Sequence, residues 1–334
     1  MNMGQLKTYN FTSAIFFIVA VIGVVVSITS NTWVGVWVGM EMNMLGVLPM
    51  FMGAYSTVEV EASIKYYIVQ VTGSLLLVLG IFMMGGTSLD TMCALYSPLL
   101  VVGIMIKLGM FPFHFWVPSV MSGISWMGAS MLSTIQKVAP LMMCSFFMID
   151  NASVMVLIGG INSIVGGIGG LNQTQFRPLM GYSSIVHSGW ALAAMAAGWT
   201  PFVVYFLFYS IVVLSVFMII SYYKVTSFAP VTSMFNNRGF MSIFSILLLM
   251  LAGFPPFLVF FGKVFVMMGL VSTPELLIML LSGSLVSLYY YLLIIYTWVT
   301  GRTSLSLYYS KFMMSSILII CMLLVIFSLL IFLV

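Results

Sequence analysis

Residues 106–116 read IKLGMFPFHFW: a lysine in an almost wholly apolar run, with a proline five residues after it and a histidine seven after it. A charged group at the centre of a membrane helix costs about 2.5–3.5 kcal/mol on insertion scales. Proline removes a backbone donor and breaks a helix that would otherwise run through it. The stretch therefore reads as a membrane helix interrupted beside a buried charge. A second stretch, AGFPPFLVFFGK at 252–263, repeats the combination, with Pro255 and Pro256 ahead of Lys263.

The rest of the chain agrees with a membrane setting. Of 334 residues, 63% are hydrophobic and 5% are charged, with a mean hydropathy of +1.22, whereas soluble domains carry roughly 25% charge. Apolar stretches long enough to span a bilayer recur from residue 11 onward, without the alternation of membrane strands. An all-α integral membrane protein follows. Cys93, Cys144 and Cys321 lie far apart and suggest neither an iron–sulfur site nor a disulfide framework. The two histidines, His114 and His187, are too few to hold paired haems. The GGIGG run at 166–170 lies between apolar helical runs and reads as close helix packing rather than a phosphate loop. The N-terminus shows no Arg-rich amphipathic targeting segment and no convincing cleavage site, so no removable peptide is expected.

Polar and Gly/Pro/Asn clusters divide the chain into spans near 11–29, 33–54, 62–84, 92–117, 122–146, 152–169, 177–197, 201–223, 239–271, 274–298 and 312–333. The expected architecture is a single polytopic domain over 1–334, a bundle of about eleven transmembrane helices. Two of these, 92–117 and 239–271, are interrupted, in related half-bundles over 33–146 and 177–298, as in transporter folds. Charge supports the count. Eleven spans put Lys7, Lys65, Arg177, Lys224, Arg238, Arg302 and Lys311 on the side of the N-terminus, and Asp90, Asp150 and Glu275 on the other. Adding or dropping a central span would scramble this segregation, so the N-terminus is expected on the positive side.

Four ionisable side chains remain inside spans: Glu41, Lys107, Lys137 and Lys263. Snorkelling towards an interface is an alternative for Lys107 and Lys263, and a purely structural Glu41–Lys107 ion pair is another. Neither accounts for Lys137, which lies well inside its span without a spare carboxylate. With one acid against three lysines, full ionisation would leave two uncompensated charges in low dielectric, so groups that exchange protons are expected here. His187 in YSSIVHSGW is either a titrating member of the same polar set or a hydrogen-bonded structural histidine. His114, beside Trp116 and Pro118, reads as a structural end-group.

These motifs resemble the subunit 2 family of mitochondrial NADH:ubiquinone oxidoreductase (respiratory complex I), an NADH dehydrogenase subunit of the antiporter-like membrane type. The resemblance rests on WVGVWVGMEMNML at 33–45, EASIKYYIVQ at 61–70, KLGMFPFHFWVP at 107–118, QKVAP at 136–140, GGLNQTQFRPLMGYSSIVHSGW at 169–190 and GFPPFLVFFGK at 253–263, in the family's order. Two positions depart from it. Ser119 stands where an acid is common after WVP, and Gly181 replaces the alanine of AYSS.

The resemblance implies an antiporter-like fold and a proton-translocating core subunit of complex I, moving protons from matrix to intermembrane space. It implies that Glu41 and Lys107 form the family's glutamate–lysine pair, that Lys137 is its connecting lysine, that Lys263 is its second central lysine, and that His187 stands near the polar axis. The chain would be part of an H+-translocating NADH:ubiquinone reductase without holding a redox centre or cofactor itself. NADH, FMN, iron–sulfur clusters and ubiquinone would belong to partner subunits. Its partners would be the other membrane and peripheral subunits of complex I and the lipid bilayer of the mitochondrial inner membrane, with no nucleic acid. The N-terminus would face the matrix and the C-terminus the intermembrane space. A stand-alone cation/proton antiporter, or a structural membrane subunit, would use the same physical devices.

Overall fold

The computed structural model of the chain describes residues 3–52, 56–85, 93–147, 152–223, 238–255, 257–271 and 273–300. These form helices α1 (Met3–Thr29), α2 (Trp33–Phe51), α3 (Thr57–Gly85), α4 (Cys93–Leu108), α5 (Trp116–Gly123), α6 (Trp126–Ser133), α7 (Ile135–Phe147), α8 (Ala152–Gly170), α9 (Phe176–Ala197), α10 (Trp199–Tyr223), α11 (Arg238–Ala252), α12 (Leu258–Gly269) and α13 (Pro274–Thr300). No strand occurs among the described residues. The expected last span, 312–333, and the charges Asp90, Asp150, Lys224, Arg302 and Lys311 lie outside them.

Among the described residues, five helical stretches are long and apolar enough to cross a membrane: Trp33–Phe51, Thr57–Met83, Ala152–Gly170, Trp199–Tyr222 and Pro274–Thr297. Polar residues start helices where the apolar runs begin. The Thr32 hydroxyl accepts the Gly35 N–H at the head of α2, and Ser56 and Glu59 exchange backbone bonds ahead of α3 as a capping box. Ser125 caps α6 and also donates to the Met50 carbonyl, tying the end of α2 to the start of α6.

The centre is α9, which touches α5, α6, α7, α8, α10, α12 and α13. All but a few of its residues are buried, although it is less uniformly apolar than its neighbours. Such a helix has its polar groups surrounded by protein rather than lipid, where charged and polar side chains in membranes are normally found.

Small residues bring the helices together, since lipid gives apolar faces little reason to prefer each other. A side chain on Gly39 or Gly46 of α2 would strike the α1 backbone at Ser27 or Ala20, 2.5 Å and 2.6 Å away. The GGIGG run joins two interfaces: Gly166 lies against Tyr182 and Val186 of α9, and Gly167 against the Gly283 carbonyl of α13. Gly181 has a similar reason, because the Pro118 backbone of α5 stands 2.9 Å from where its Cβ would be. It permits a helix crossing.

One break departs from the sequence reading. The expected uninterrupted span 122–146 divides into α6 and α7 at Thr134 (φ −117°, ψ −81°). No glycine or proline marks it. The Ser133 and Thr134 hydroxyls instead both donate to the Ser130 carbonyl, a local competition with the helix ladder that bends or ends helices.

The α8–α9 contact depends on Gly159 and Gly189, since a Cβ on Gly159 would sit 2.5 Å from the Gly189 carbonyl oxygen. Gly189→Val is therefore expected to destabilise the bundle by about 1–3 kcal/mol, the usual cost of overpacking. A lower thermal midpoint of the detergent-solubilised protein would register it, while Ile211→Val on an outward face should leave the midpoint unchanged.

Candidate functional site

Helices α4 and α11 end in the same way. In α4, Gly109 (φ +67°) takes the left-handed conformation, its N–H donates to the Ile106 carbonyl at 3.1 Å, and the Met110 N–H reaches back to Met105 at 2.9 Å. In α11, Gly253 (φ +80°) donates to Met250 at 3.1 Å and Phe254 to Leu249 at 3.1 Å. Both are Schellman ends, with glycine where an L side chain would be strained and with apolar residues at the paired positions. Proline follows in each, at Pro112 and Pro255, and rules out a direct continuation.

A Schellman end satisfies only some of the last carbonyls. In α4, Gln70 of α3 donates to the Lys107 carbonyl at 3.1 Å, and the Trp116 indole N–H adds a bond to Ile106 at 3.1 Å. The segment leaving α4 is held by Asn162 of α8, whose side-chain oxygen accepts the Phe111 N–H at 2.6 Å. In α11, the Lys263 ammonium folds back from α12 and donates to the Ala252 carbonyl at 3.1 Å. The Leu251 carbonyl faces the His187 ring. At this second break the helix end takes its donors from two of the ionisable residues singled out by sequence.

Lys107 lies in the last turn of α4, and its ammonium donates to Glu41 of α2 at 2.8 Å, with the lysine side chain almost wholly buried and the carboxylate partly so. Both Lys107 and Lys263 thus meet the C-terminal end of a helix, where the exposed carbonyls carry partial negative charge. Lys137, in the first turn of α7, donates to the Ser184 carbonyl of α9. Lys263 also lies 5.3 Å from the centroid of Trp190, within cation–π range.

Helix α9 gathers these groups. Ser184, His187 and Trp190 follow one another at i, i+3 and i+6, so they form a stripe along one side. Lys137 meets the first and Lys263 the third, and His187 between them is within electrostatic reach of both ammoniums. The His187 Nδ1 and the Tyr205 hydroxyl are 2.8 Å apart. A carbonyl can only accept, so the ring presents an N–H to Leu251, and Tyr205 then donates to Nδ1.

Of the residues expected from the sequence, Glu41 and Lys107 are brought into one ion pair, and Lys137, His187 and Lys263 into one group around α9. No direct hydrogen bond joins Lys107 to Lys137 among the described residues. Between the two groups stands a neutral polar chain: the Tyr66 hydroxyl, which feels the Glu41 charge, donates to Gln136 at 2.8 Å, and Gln136 donates to the Asn43 carbonyl and side-chain oxygens at 3.2 Å and 3.3 Å. Gln136 adjoins Lys137, and Asn43 is two residues from Glu41. Sequence reasoning by charge passes over these groups, as well as Gln70, Asn162 and Tyr205. Amide side chains in apolar spans were the available signal. His114 is buried and its ring lies against Phe115, with centroids 4.0 Å apart and the planes tilted by 34°. Ser119 donates to the Trp116 carbonyl of its own helix at 2.8 Å.

Residues 30–289 match the family described as NADH:quinone oxidoreductase/Mrp antiporter, TM. The chain is 35% identical to NADH-ubiquinone oxidoreductase chain 2 of Anopheles gambiae over 85% of its own length and 84% of that protein. It is equally similar, at 35%, to NADH-ubiquinone oxidoreductase chain 2 of Lumbricus terrestris, over 85% and 86% of the two chains. Its fold is similar to that of a chain in respiratory complex I from Thermus thermophilus with bound aureothin, with a TM-score of 0.77 at 21% identity, covering 96% of this chain and 78% of that one. The apolar helical bundle with its buried lysines thus belongs to the NADH:quinone oxidoreductase/Mrp antiporter transmembrane family, alongside the chain 2 subunits of NADH-ubiquinone oxidoreductase.

Proposed function

We propose that this chain, a proton-translocating membrane subunit of NADH:ubiquinone oxidoreductase, moves protons across the mitochondrial inner membrane through Glu41, Lys107, Lys137, His187 and Lys263. The observation that carries the reading is the position of His187, hydrogen-bonded to Tyr205 and within reach of both Lys137 and Lys263. Lys137 and Lys263 each rest on a neutral main-chain carbonyl, which can hold the ammonium but cannot take its proton. The imidazole between them can, at Nδ1, by way of the Tyr205 hydroxyl that donates to it: the hydroxyl hands its own proton to the ring and takes the incoming one in exchange.

The pair Glu41–Lys107 stands at the other end of the same line. As a unit it is neutral whether the proton sits on nitrogen or on oxygen, so it can take up or release one proton with a change of only one charge. The chain Tyr66–Gln136–Asn43 supplies donors and acceptors between that pair and Lys137. Spaced side chains pass protons only through bridging groups, and water is the natural bridge where the protein offers two or more polar partners.

In this reading α4–α5 and α11–α12 are two interrupted spans of an eleven-span bundle whose related halves run over 33–146 and 177–298. The identical Schellman ends at Gly109 and Gly253 support it. The lysines take different places in the two halves, Lys107 before its break and Lys263 after. Redox cofactors and ubiquinone belong to partner subunits, which shift the protonation of one member of the line. The N-terminus faces the matrix, and protons leave towards the intermembrane space.

Lys107→Met and Lys263→Met are each expected to leave complex I assembled while removing most of the proton transfer that depends on this subunit. Vesicles holding the variant complexes should show fewer protons moved per NADH oxidised. Normal assembly with unchanged stoichiometry in both would sink the relay, and sodium-for-proton exchange by the chain alone would replace it with the antiporter reading. For the ion pair, Glu41→Gln should lower the thermal midpoint more than the double variant Glu41→Gln/Lys107→Met. Removing one partner of a buried pair costs about 3–5 kcal/mol, while replacing both with neutral groups costs less.

A further inference from the structure

The Lys263 ammonium rests among groups from three helix ends and faces. Lys263 shares the buried face of α12 with Val259, Gly262 and Val266, and its side chain turns back towards the end of α11, where it donates to the Ala252 carbonyl at 3.1 Å. Its stem lies over Gly253: a Cβ on that glycine would stand 2.7 Å from Nζ and 3.1 Å from Cε. On a further side is the Trp190 ring of α9, with its centroid 5.3 Å from Nζ. No carboxylate pairs with Lys263 among the described residues.

The ring is held in place from behind. Trp190 is fully buried and stacked on Tyr205 of α10, with centroids 6.3 Å apart and the planes 28° apart. Tyr205 is tied through its hydroxyl to the His187 Nδ1, and it packs against α12 at Gly262, where a Cβ would come within 3.2 Å of the Tyr205 Cα. The residue just before Lys263 thus lets α12 close on the same aromatic that supports the indole, which fixes the distance between ammonium and ring. Hydrogen bonding does not explain an indole here. The Trp190 N–H has no partner among the described residues, and a buried donor left unpaired is destabilising, so phenylalanine would fill most of the space without that burden. What the indole adds is its face, which attracts a cation more strongly than other aromatic rings do, and most where water is excluded. Lys263 is only 5% exposed.

We propose that Trp190 is a positioning residue for proton transfer: its indole face, the Ala252 carbonyl and the open side of Gly253 form a seat for the Lys263 ammonium that stands in for the carboxylate this lysine lacks. A peptide carbonyl and an indole face bind a cation without being bases, so the seat holds the ammonium and leaves its proton to be passed elsewhere. It also fixes where the charge stands relative to His187, which lies within electrostatic reach. Without the ring, the ammonium keeps one carbonyl and loses the contact that sets its direction. The seat rests on the relay reading given above, because Trp190 acts on proton transfer only through Lys263.

Proton transfer by the assembled complex in vesicles should follow the strength of the ring: wild type above Trp190→Phe, and Trp190→Phe several-fold above Trp190→Leu, with the complex formed in similar amount in each. A double-variant cycle on the thermal midpoint separates the contact from packing. Trp190→Leu loses the same packing whether or not Lys263 is replaced, so the midpoint should fall further when Lys263 is present than in Lys263→Met, the excess reporting the ring–ammonium contact. Equal proton transfer in Trp190→Phe and Trp190→Leu, or midpoint changes that simply add, would overturn the seat and leave the relay standing. If Lys263→Met itself pumps normally, the relay has failed and the seat's part in proton transfer falls with it. Should Trp190→Leu not assemble, Trp190→Phe takes its place in the cycle, where additive midpoints again overturn the seat.

Discussion

A helix that stops inside an apolar bundle leaves peptide carbonyls with no water to bond them, and the interior of this protein is organised around two such ends. At α4 and α11 a glycine in the left-handed conformation closes the first bonds, and the remaining carbonyls draw in donors from elsewhere. Gln70 and Trp116 serve one end, and Lys263 and His187 face the other. The same requirement that excludes irregular backbone from lipid makes a broken helix, once surrounded by protein, an acceptor of polar and cationic side chains. The lysines are tolerated where the backbone has been opened for them.

That arrangement explains why α9 occupies the centre. It carries Ser183, Ser184, His187 and Ser188, all of them buried, and its glycines allow α5 and α8 to approach closely. Large side chains in their place would hold the neighbours away and leave room for lipid. Close packing and buried polarity are therefore coupled: the glycines bring protein within reach of the hydrogen-bonding groups, and those groups make the close approach worth its loss of side-chain contact.

Much of this is legible in the residues. Charge in an apolar run is a strong signal because its cost is high, so Glu41, Lys107, Lys137 and Lys263 can be named without coordinates, and Gly-x-x-Pro after Lys107 and Gly-Phe-Pro before Lys263 announce the helix ends. The pairings are less legible. Nothing local says that Lys137 meets the Ser184 carbonyl rather than a carboxylate, because a main-chain acceptor has no signature in sequence. Neutral polar groups are quieter still: Gln70, Asn162 and Tyr205 differ little from surface-facing residues until the fold surrounds them. The break at Thr134 escapes for a related reason, since serine and threonine hydroxyls also bond the carbonyls of intact helices throughout this protein, as at Ser63 and Ser74.

The two lysines at the helix ends differ in how their charge is met. Lys107 has a carboxylate at 2.8 Å, so the charged pair presents no net charge to its surroundings. Lys263 has only dipoles and an aromatic face, from Ala252 and Trp190, and Lys137 has only the Ser184 carbonyl. In the proposed relay His187 therefore stands between two lysines without carboxylates, both within electrostatic reach of its ring, and compensation is confined to the far end of the line at Glu41. Separating Glu41 from Lys107 would remove it there as well, and leave Lys107 in the same condition as the other two lysines.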